Sequence, residues 1–325
     1  MKAIVQDRYG SADVLELRDV DKPTPKANEV LVRVHAAGVD PGVWHLMTGQ
    51  PYLVRAMGFG LRVPKTRVRG RALAGRIEAV GANVSGLRPG DDVYGTCEGS
   101  FAEYACARAD RLARKPANLT FEQAAAVPIS AATALQALRD KGQVRPGQRV
   151  AIVGAAGGVG AFAVQIAKAL GAHVTAVCGP TKADLVRSIG ADEVVDYSRE
   201  DFANGSRRYD LVVDTAGNRS LSHLRRALTP DGTLVIVGGE GGGRWVGIVG
   251  RIFGAMFVAP FVKQKLRPLS ATERALDLDY LTTLIEAGTV TPVIDRTYAL
   301  RDAPDAIRYL AQGHARGKVV ISVSG

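Results

Sequence analysis

The sequence predicts an α/β protein in two parts: a strand-rich region followed by a doubly wound parallel sheet with helices on both faces. Two patterns carry this. Residues 1–125 read mainly as short strands and turns. From about residue 126, apolar strands alternate with glycine turns and helical stretches, the signature of βα units. The tail from about residue 269 returns as helix, strand, helix and strand. The expected division is 1–125 with 269–325 in one domain and 126–268 in the other. A chain of 325 residues is long enough for two such domains.

The elements follow in order. "EVLVRVHAAGV" and "RALAGRIEAVG" are buried-strand patterns, and "LRPGDDVYG" is a turn running into another strand. "QRVAIVGAAGGVGAFAVQIAKALGAHVTAVCG" reads as strand, glycine turn, helix, glycine stop and strand. "YDLVVDTAG", a helix over "RSLSHLRRALTP" and a strand in "DGTLVIVGG" repeat the alternation. In the tail, "ERALDLDYLTTLIEAG" is a helix, "VIDRTYAL" a strand, and "GKVVISV" closes the chain. There is no internal repeat, and the glycine run at 238–243 is the one compositional oddity.

Composition narrows the function classes. The formal charge is +10, with 31 Arg and 11 Lys, which permits an anionic partner without choosing one. No nucleic-acid-binding motif accompanies that charge, and aromatic residues are only 6%. Cys97, Cys106 and Cys178 contain no CxxC and form no disulfide framework, so a reduced cytoplasmic compartment is expected. "MKAIVQDRYG" lacks the apolar core of a signal peptide.

The glycine turn is the strongest signal. Residues 155–160 read A-A-G-G-V-G, between an apolar strand and a long helix. Gly157 lets the backbone approach a pyrophosphate, Gly160 lets helix pack on strand, and the helix N-terminus offers its N–H groups to negative charge. A purely structural turn is the plain alternative. The tip of the next strand reads Cys178-Gly179-Pro180-Thr181-Lys182, with no carboxylate until Asp184. An acid there binds a ribose 2′-hydroxyl, whereas Lys182 attracts a 2′-phosphate. NADPH is therefore expected over NADH, the other reading of Lys182 being a solvated lysine at a helix start.

"VHAAGVDPGVWHLMTG" carries His35, Asp40 and His45 and raises the question of a metal. A catalytic zinc needs three protein ligands and an open position. Neither histidine has a cysteine or second histidine at ligand spacing, so no metal is expected.

The order "VPISAATALQAL", "GQRVAIVGAAGGVGAFAVQIAKALGA", "GADEVVDY" and "GHARGKVVISV" resembles the medium-chain dehydrogenase/reductase superfamily. It is closest to the zinc-independent, quinone-oxidoreductase-like branch, and the resemblance covers essentially the whole chain. It implies a GroES-like substrate domain and a Rossmann NADP-binding domain, with a homodimer common among relatives. Zinc members carry a cysteine near Val39–Asp40 and a Gly-His-Glu where this chain has Gly70, Arg71 and Ala72. They also carry a four-cysteine lobe, where this chain has Cys97 and Cys106.

The resemblance also carries the site residues. Asp40 stands where relatives commonly have Asn, and His45 where they have a polar aromatic, with Tyr52 a few residues on. These three are the candidate catalytic residues, and His45 or Tyr52 is the expected hydrogen-bond donor or general acid. A protonated Asp40 can donate to an enolate, and an ionised one cannot. The plain alternative has Asp40 capping the turn at Pro41 and His45 as an ordinary amphipathic-helix residue. Candidate cofactor contacts are Thr133, Ala156, Gly157, Gly158, Val159, Thr181, Lys182, Tyr197, Gly217, Gly238 and Lys318.

Without a metal, hydride addition to a conjugated acceptor is favoured, because its charge spreads over an enolate or hydroquinone anion that hydrogen bonds can hold. A lipophilic quinone or an enone is the expected small-molecule substrate. A metal-free alcohol dehydrogenase or ketone reductase and a non-enzymatic NADPH-binding sensor are the alternatives. Two stretches, 41–77 and 241–272, hold no Asp or Glu. The second contains the apolar run "WVGIVGRIFGAMFVAPFV", which Arg251, Pro260 and three glycines interrupt, so no spanning helix is expected. An ordinary buried or dimer-forming helix is one reading. The other is peripheral contact with a membrane surface beside a lipophilic substrate site.

Overall fold

The computed structural model describes residues 1–53, 55–238 and 248–323. In chain order it begins with strands β1 (Lys2–Val5), β2 (Glu16–Asp19) and β3 (Glu29–Val39). Helix α1 (Pro41–Thr48) follows, then β4 (Ala72–Val80), β5 (Asp92–Thr96), β6 (Tyr104–Arg108) and β7 (Leu112–Arg114). Helices α2 (Phe121–Ala125) and α3 (Pro128–Leu135) lead to β8 (Arg149–Val153), α4 (Gly158–Ala169), β9 (His173–Cys178), α5 (Ala183–Ser188) and β10 (Glu193–Asp196). Next come β11 (Tyr209–Asp214), α6 (Leu221–Arg226), β12 (Leu228–Ile236), α7 (Ile248–Val258) and β13 (Lys265–Pro268). The chain closes with α8 (Ala275–Glu286), β14 (Ile294–Ala299), α9 (Ala303–Ala311) and β15 (Lys318–Ser322).

The chain forms two compact units, residues 1–132, 273–288 and 292–325 in one, and 133–272 with 289–291 in the other. The boundaries lie a few residues beyond the expected 125 and 268. Two contacts explain where the tail belongs. The Tyr94 hydroxyl donates to the Leu278 carbonyl at 2.7 Å, tying α8 to β5. Thr291 is held in the second unit by Gln165, whose Nε2 donates to its carbonyl at 3.0 Å.

The first unit is built on a sheet of order β14-β15-β3-β4-β5-β7, with β6 also pairing β3. β3 is central: Val30, Leu31, Val32 and Val34 are buried, and Arg33 alone of this stretch is exposed. From Ala36 to Val39 every residue is buried. Ile4, Phe101, Met47 and Ile307 share one core with this end of β3. α2 opens on a capping box, Thr120 accepting from the Gln123 N–H and Gln123 accepting from the Thr120 N–H.

The second unit is an all-parallel sheet of order β10-β9-β8-β11-β12-β13. The order reverses between β8 and β11, and α4 links β8 to β9 on the way out. Ligands in open α/β sheets bind at the carboxyl ends of strands at such a switch point.

One element differs from expectation. The helix expected over 219–230 stops at Arg226, because the Ala227 carbonyl accepts from the Tyr209 N–H at 2.9 Å and β12 begins at Leu228. Of the apolar run at 245–262, the described part is α7 and a 3₁₀ turn over Ala259–Phe261, entered through Pro260. No described helix is long and apolar enough to cross a membrane. The glycine run after Gly238 lies outside the described residues.

Candidate active site and cofactor cradle

In the first unit, the end of β3 delivers Asp40 to the N-cap position of α1, with Pro41 following. Its backbone is extended, with φ −129° and ψ 153°, but its side chain makes no cap hydrogen bond. It turns instead to Lys318, the first residue of β15. The antiparallel register sets Val319 opposite Val39, which brings Lys318 beside Asp40. The Lys318 ammonium donates to Asp40 Oδ1 and, at 3.1 Å, to the Val39 carbonyl. The Ser130 hydroxyl on α3 also donates to Asp40 Oδ1, at 3.1 Å. Asp40 and Lys318 are each only 3% exposed. Asp40 is thus an acceptor paired with an ammonium, not a turn cap. Lys318, expected to meet the cofactor, directs two of its three N–H donors here. The second carboxylate oxygen, Oδ2, is buried with no hydrogen-bond partner among the described residues. A buried carboxylate oxygen without a donor is costly, so it is a ready acceptor for a ligand hydroxyl or amide.

His45 lies one turn into α1, half-buried, with Trp44 edge-on to its ring. Its Nδ1 is 2.8 Å from the Gln50 carbonyl, which can only accept. Nδ1 therefore carries the proton, and in the neutral ring Nε2 is an acceptor. The expected donor role for His45 would require the imidazolium. A tyrosine phenol, such as that of Tyr52, is a donor type that needs no such change. Sequence reasoning missed Arg55, which fastens this loop. Its guanidinium donates to the carbonyls of Gly49 (3.0 Å) and Thr48 (3.3 Å) and lies over the rings of Tyr9 and Tyr52. A cation at the carboxyl end of α1 suits the helix dipole.

In the second unit, the turn from β8 into α4 forms the expected cradle. Gly154 has φ +82°, a conformation that favours glycine. A Cβ on Gly160 would stand 2.1 Å from the Gly154 carbonyl oxygen, so only glycine allows α4 to start there. Gly157 is the N-cap and has no side chain to satisfy the first N–H groups of the helix. Gly158, Val159 and Gly160 supply those groups, and Ala156 lines the turn beside them. Such a turn can receive a pyrophosphate, and the residues present fit a dinucleotide.

The neighbouring strand tips complete it. Beyond β9, Thr181 is exposed and Lys182 half-buried in a 3₁₀ turn, while Asp184 points outward to Arg187. A Cβ on Gly179 would meet the Tyr197 hydroxyl at 3.3 Å, so Tyr197, at the end of β10, closes over this tip. Arg219, which sequence reasoning missed, lies over the Tyr197 ring at 5.9 Å. Gly238 follows β12, where a Cβ would stand 2.1 Å from the Thr215 carbonyl. Gly217 follows β11 and donates its N–H to Asp214 Oδ1 at 3.0 Å. Thr133 lies on α3, one turn after Ser130.

A second buried ion pair supports the Gly217 turn. Asp214, fully buried, accepts from the Arg251 guanidinium of α7 at 2.5 Å, and Arg251 also donates to the Gly217 carbonyl. Burial pushes the Asp214 carboxyl up against the pull of the Gly217 N–H and Arg251. The signal was legible: one Arg inside an apolar run needs a buried acid to meet it.

At the positions where zinc relatives hold ligands, Arg71 pairs with Glu273, whose other oxygen takes Arg111 at 3.0 Å. Burial pushes the thiols of Cys97 and Cys106 up, Cys106 to about 11, so both are thiols at neutral pH. His35 stacks on Phe121 with ring centroids 4.2 Å apart, a packing role. Among the described residues, no three His, Cys, Asp or Glu side chains are grouped for a metal.

A switch-point glycine cradle, joined in one chain to a strand-rich unit with a buried acid–base pair, defines a dinucleotide-dependent oxidoreductase of the two-domain kind. The chain matches the family model described as the alcohol dehydrogenase GroES-like domain over residues 26–117, and that described as zinc-binding dehydrogenase over 189–321. It is 32% identical to the chloroplast envelope quinone oxidoreductase homolog of Arabidopsis thaliana, over 99% of this chain and 98% of that one. It is also 32% identical to the mitochondrial NAD(P)H oxidoreductase RTN4IP1 of Mus musculus, over 99% and 89%. The structure of the quinone oxidoreductase from Coxiella burnetii superposes with a TM-score of 0.87 at 30% identity, covering 100% of this chain and 99% of that one. The chain belongs to the medium-chain dehydrogenase/reductase family, in its quinone-oxidoreductase-like branch.

Proposed function

We propose that this protein uses NADPH to reduce a quinone or an α,β-unsaturated carbonyl without a metal. The observation that carries the reading is the glycine cradle with Thr181 and Lys182, and no inward acid, at the neighbouring strand tip. The bound cofactor supplies the hydride. Gly157, Gly158, Val159 and the start of α4 hold its pyrophosphate, Lys182 takes the 2′-phosphate, and Tyr197 covers the adenosine end. Asp40 Oδ2 accepts a hydrogen bond from a bound hydroxyl or amide, with Lys318 and Ser130 fixing the carboxylate. Tyr52 donates to the reduced substrate oxygen. Where zinc relatives have ligands, Arg71 offers a guanidinium with no lone pair for a metal.

The relatives' names speak for quinones as the substrate class, and the basic, apolar stretches speak for a lipophilic one. The homodimer and the cytoplasmic setting implied by resemblance and composition belong to this same proposal, and light scattering of the purified chain tests the first. The function itself is tested by NADPH oxidation over a panel of quinones, enones and aldehydes with a chelator control. Turnover of quinones or enones that survives chelation supports the proposal. Turnover confined to alcohol-driven NADP⁺ reduction makes the protein an alcohol dehydrogenase instead.

A further inference from the structure

Helix α7 turns one face to its unit and the other to solvent. Arg251, Ala255 and Val258 face inward, Ala255 fully buried beside Leu224 and Leu228. Phe253 (63% exposed), Met256 (60%), Phe257 (76%) and, in the following turn, Phe261 (78%) face outward. These fall at helical spacing, so the exposed set is one contiguous stripe. Large apolar side chains gathered on a surface mark a binding face.

The surroundings of the stripe are basic. Lys263 and Lys265, just beyond it, are exposed, and residues 241–272 hold no acid. Gln264 ties this segment to α6 through paired hydrogen bonds with Arg225, at 2.8 and 2.9 Å. The stretch 215–230 that contains α6 also holds no acid and carries Arg219, Arg225 and Arg226. Asp201 is set against His223 and Arg226. A second copy docking through a two-fold contact would bring a second set of the same charges to this face. An anionic surface complements them.

We propose that the α7 face is a docking surface for an anionic lipid bilayer, the phenylalanines entering the headgroup boundary and the lysines meeting acidic headgroups. Independently, the first unit carries exposed Leu61 (72%) and Val63 (57%) beside exposed Arg62 and Lys65. The proposal does not depend on the redox reaction. The full chain is sedimented with phosphatidylcholine vesicles, with and without phosphatidylglycerol. The wild type is expected to bind the anionic vesicles and to be released by salt. Phe257→Ser with Phe261→Ser, and separately Lys263→Glu with Lys265→Glu, each weaken that binding by about tenfold or more. Phe257→Leu with Phe261→Leu keeps it, and thermal melts of all variants match the wild type. No binding to either vesicle overturns the proposal, as does equal binding by the Ser variant. A fall in molar mass of the Ser variant by light scattering, without vesicle binding, assigns the face to a second copy and also overturns it.

Discussion

Lys318 and Asp40 form a buried ion pair fixed by the antiparallel register of β15 on β3, with Ser130 on the same carboxylate oxygen. Removing one partner of a buried pair strands the other charge, at a cost of about 3–5 kcal/mol. Lys318→Met leaves an uncompensated carboxylate and is expected to fall in that range. Asp40→Asn keeps an acceptor for the ammonium and is expected to cost less. The double variant recovers part of the Lys318→Met loss. Urea denaturation checks the order, and equal small losses in both single variants would remove the pair from the account.

Tyr52 and His45 differ in what they can give. Tyr52→Phe deletes only a hydroxyl and is expected to lower kcat/KM by roughly 10²-fold, the lower end of the roughly 10²–10⁴-fold range for a positioned acid. His45→Ala also frees the Gln50 carbonyl and is expected to loosen the loop, raising KM. Steady-state kinetics separate the two patterns, and unchanged kcat/KM in both excludes both residues from the mechanism.

The cradle makes a graded prediction. In Gly157→Ala the new Cβ meets the Gly154 carbonyl at 3.3 Å, which a small shift accommodates. In Gly160→Ala the same oxygen is 2.1 Å away, so the backbone itself must move. NADPH affinity, followed by cofactor fluorescence, is expected to fall modestly in the first and to be lost in the second. Equal affinities would contradict the cradle geometry.

Acid stability draws on Glu193, at the start of β10. His173, by a hydrogen bond, and then Arg207 hold its carboxyl below its ordinary value of 4.5. A folded-state value below the unfolded one stabilises the protein above the unfolded value, and that contribution is lost as pH falls through the folded value. Glu193→Gln is therefore expected to lower the urea midpoint at neutral pH and to change it little in strong acid. An equal loss at both pH values contradicts the assignment.

Much of this was legible in the sequence. The parallel sheet and its glycine turn were readable because apolar strands buried on both faces and a helix start at Gly157 leave local signatures. Asp40, His45 and Tyr52 were named through family resemblance, yet Ser130, a partner of Asp40, was not, and Lys318 was named only as a cofactor contact. Lys318 and Ser130 are 278 and 90 residues away, and only the β15–β3 register and the packing of α3 bring them in. Arg55 was hidden for the opposite reason: it acts within a few residues of itself, but on backbone carbonyls, which sequence does not mark. The early end of α6 was set by a sheet hydrogen bond at Ala227, a tertiary demand overriding a helical pattern.

The proposed activity of this chain is NADPH-dependent reduction of quinones or enones. The most direct test is kcat/KM for one short-chain quinone with NADPH and with NADH, measured side by side on the wild type. A charge-assisted contact from Lys182 to the 2′-phosphate predicts a preference for NADPH of about tenfold or more. Equal or greater efficiency with NADH, or no oxidation of either cofactor by quinones and enones, would contradict it.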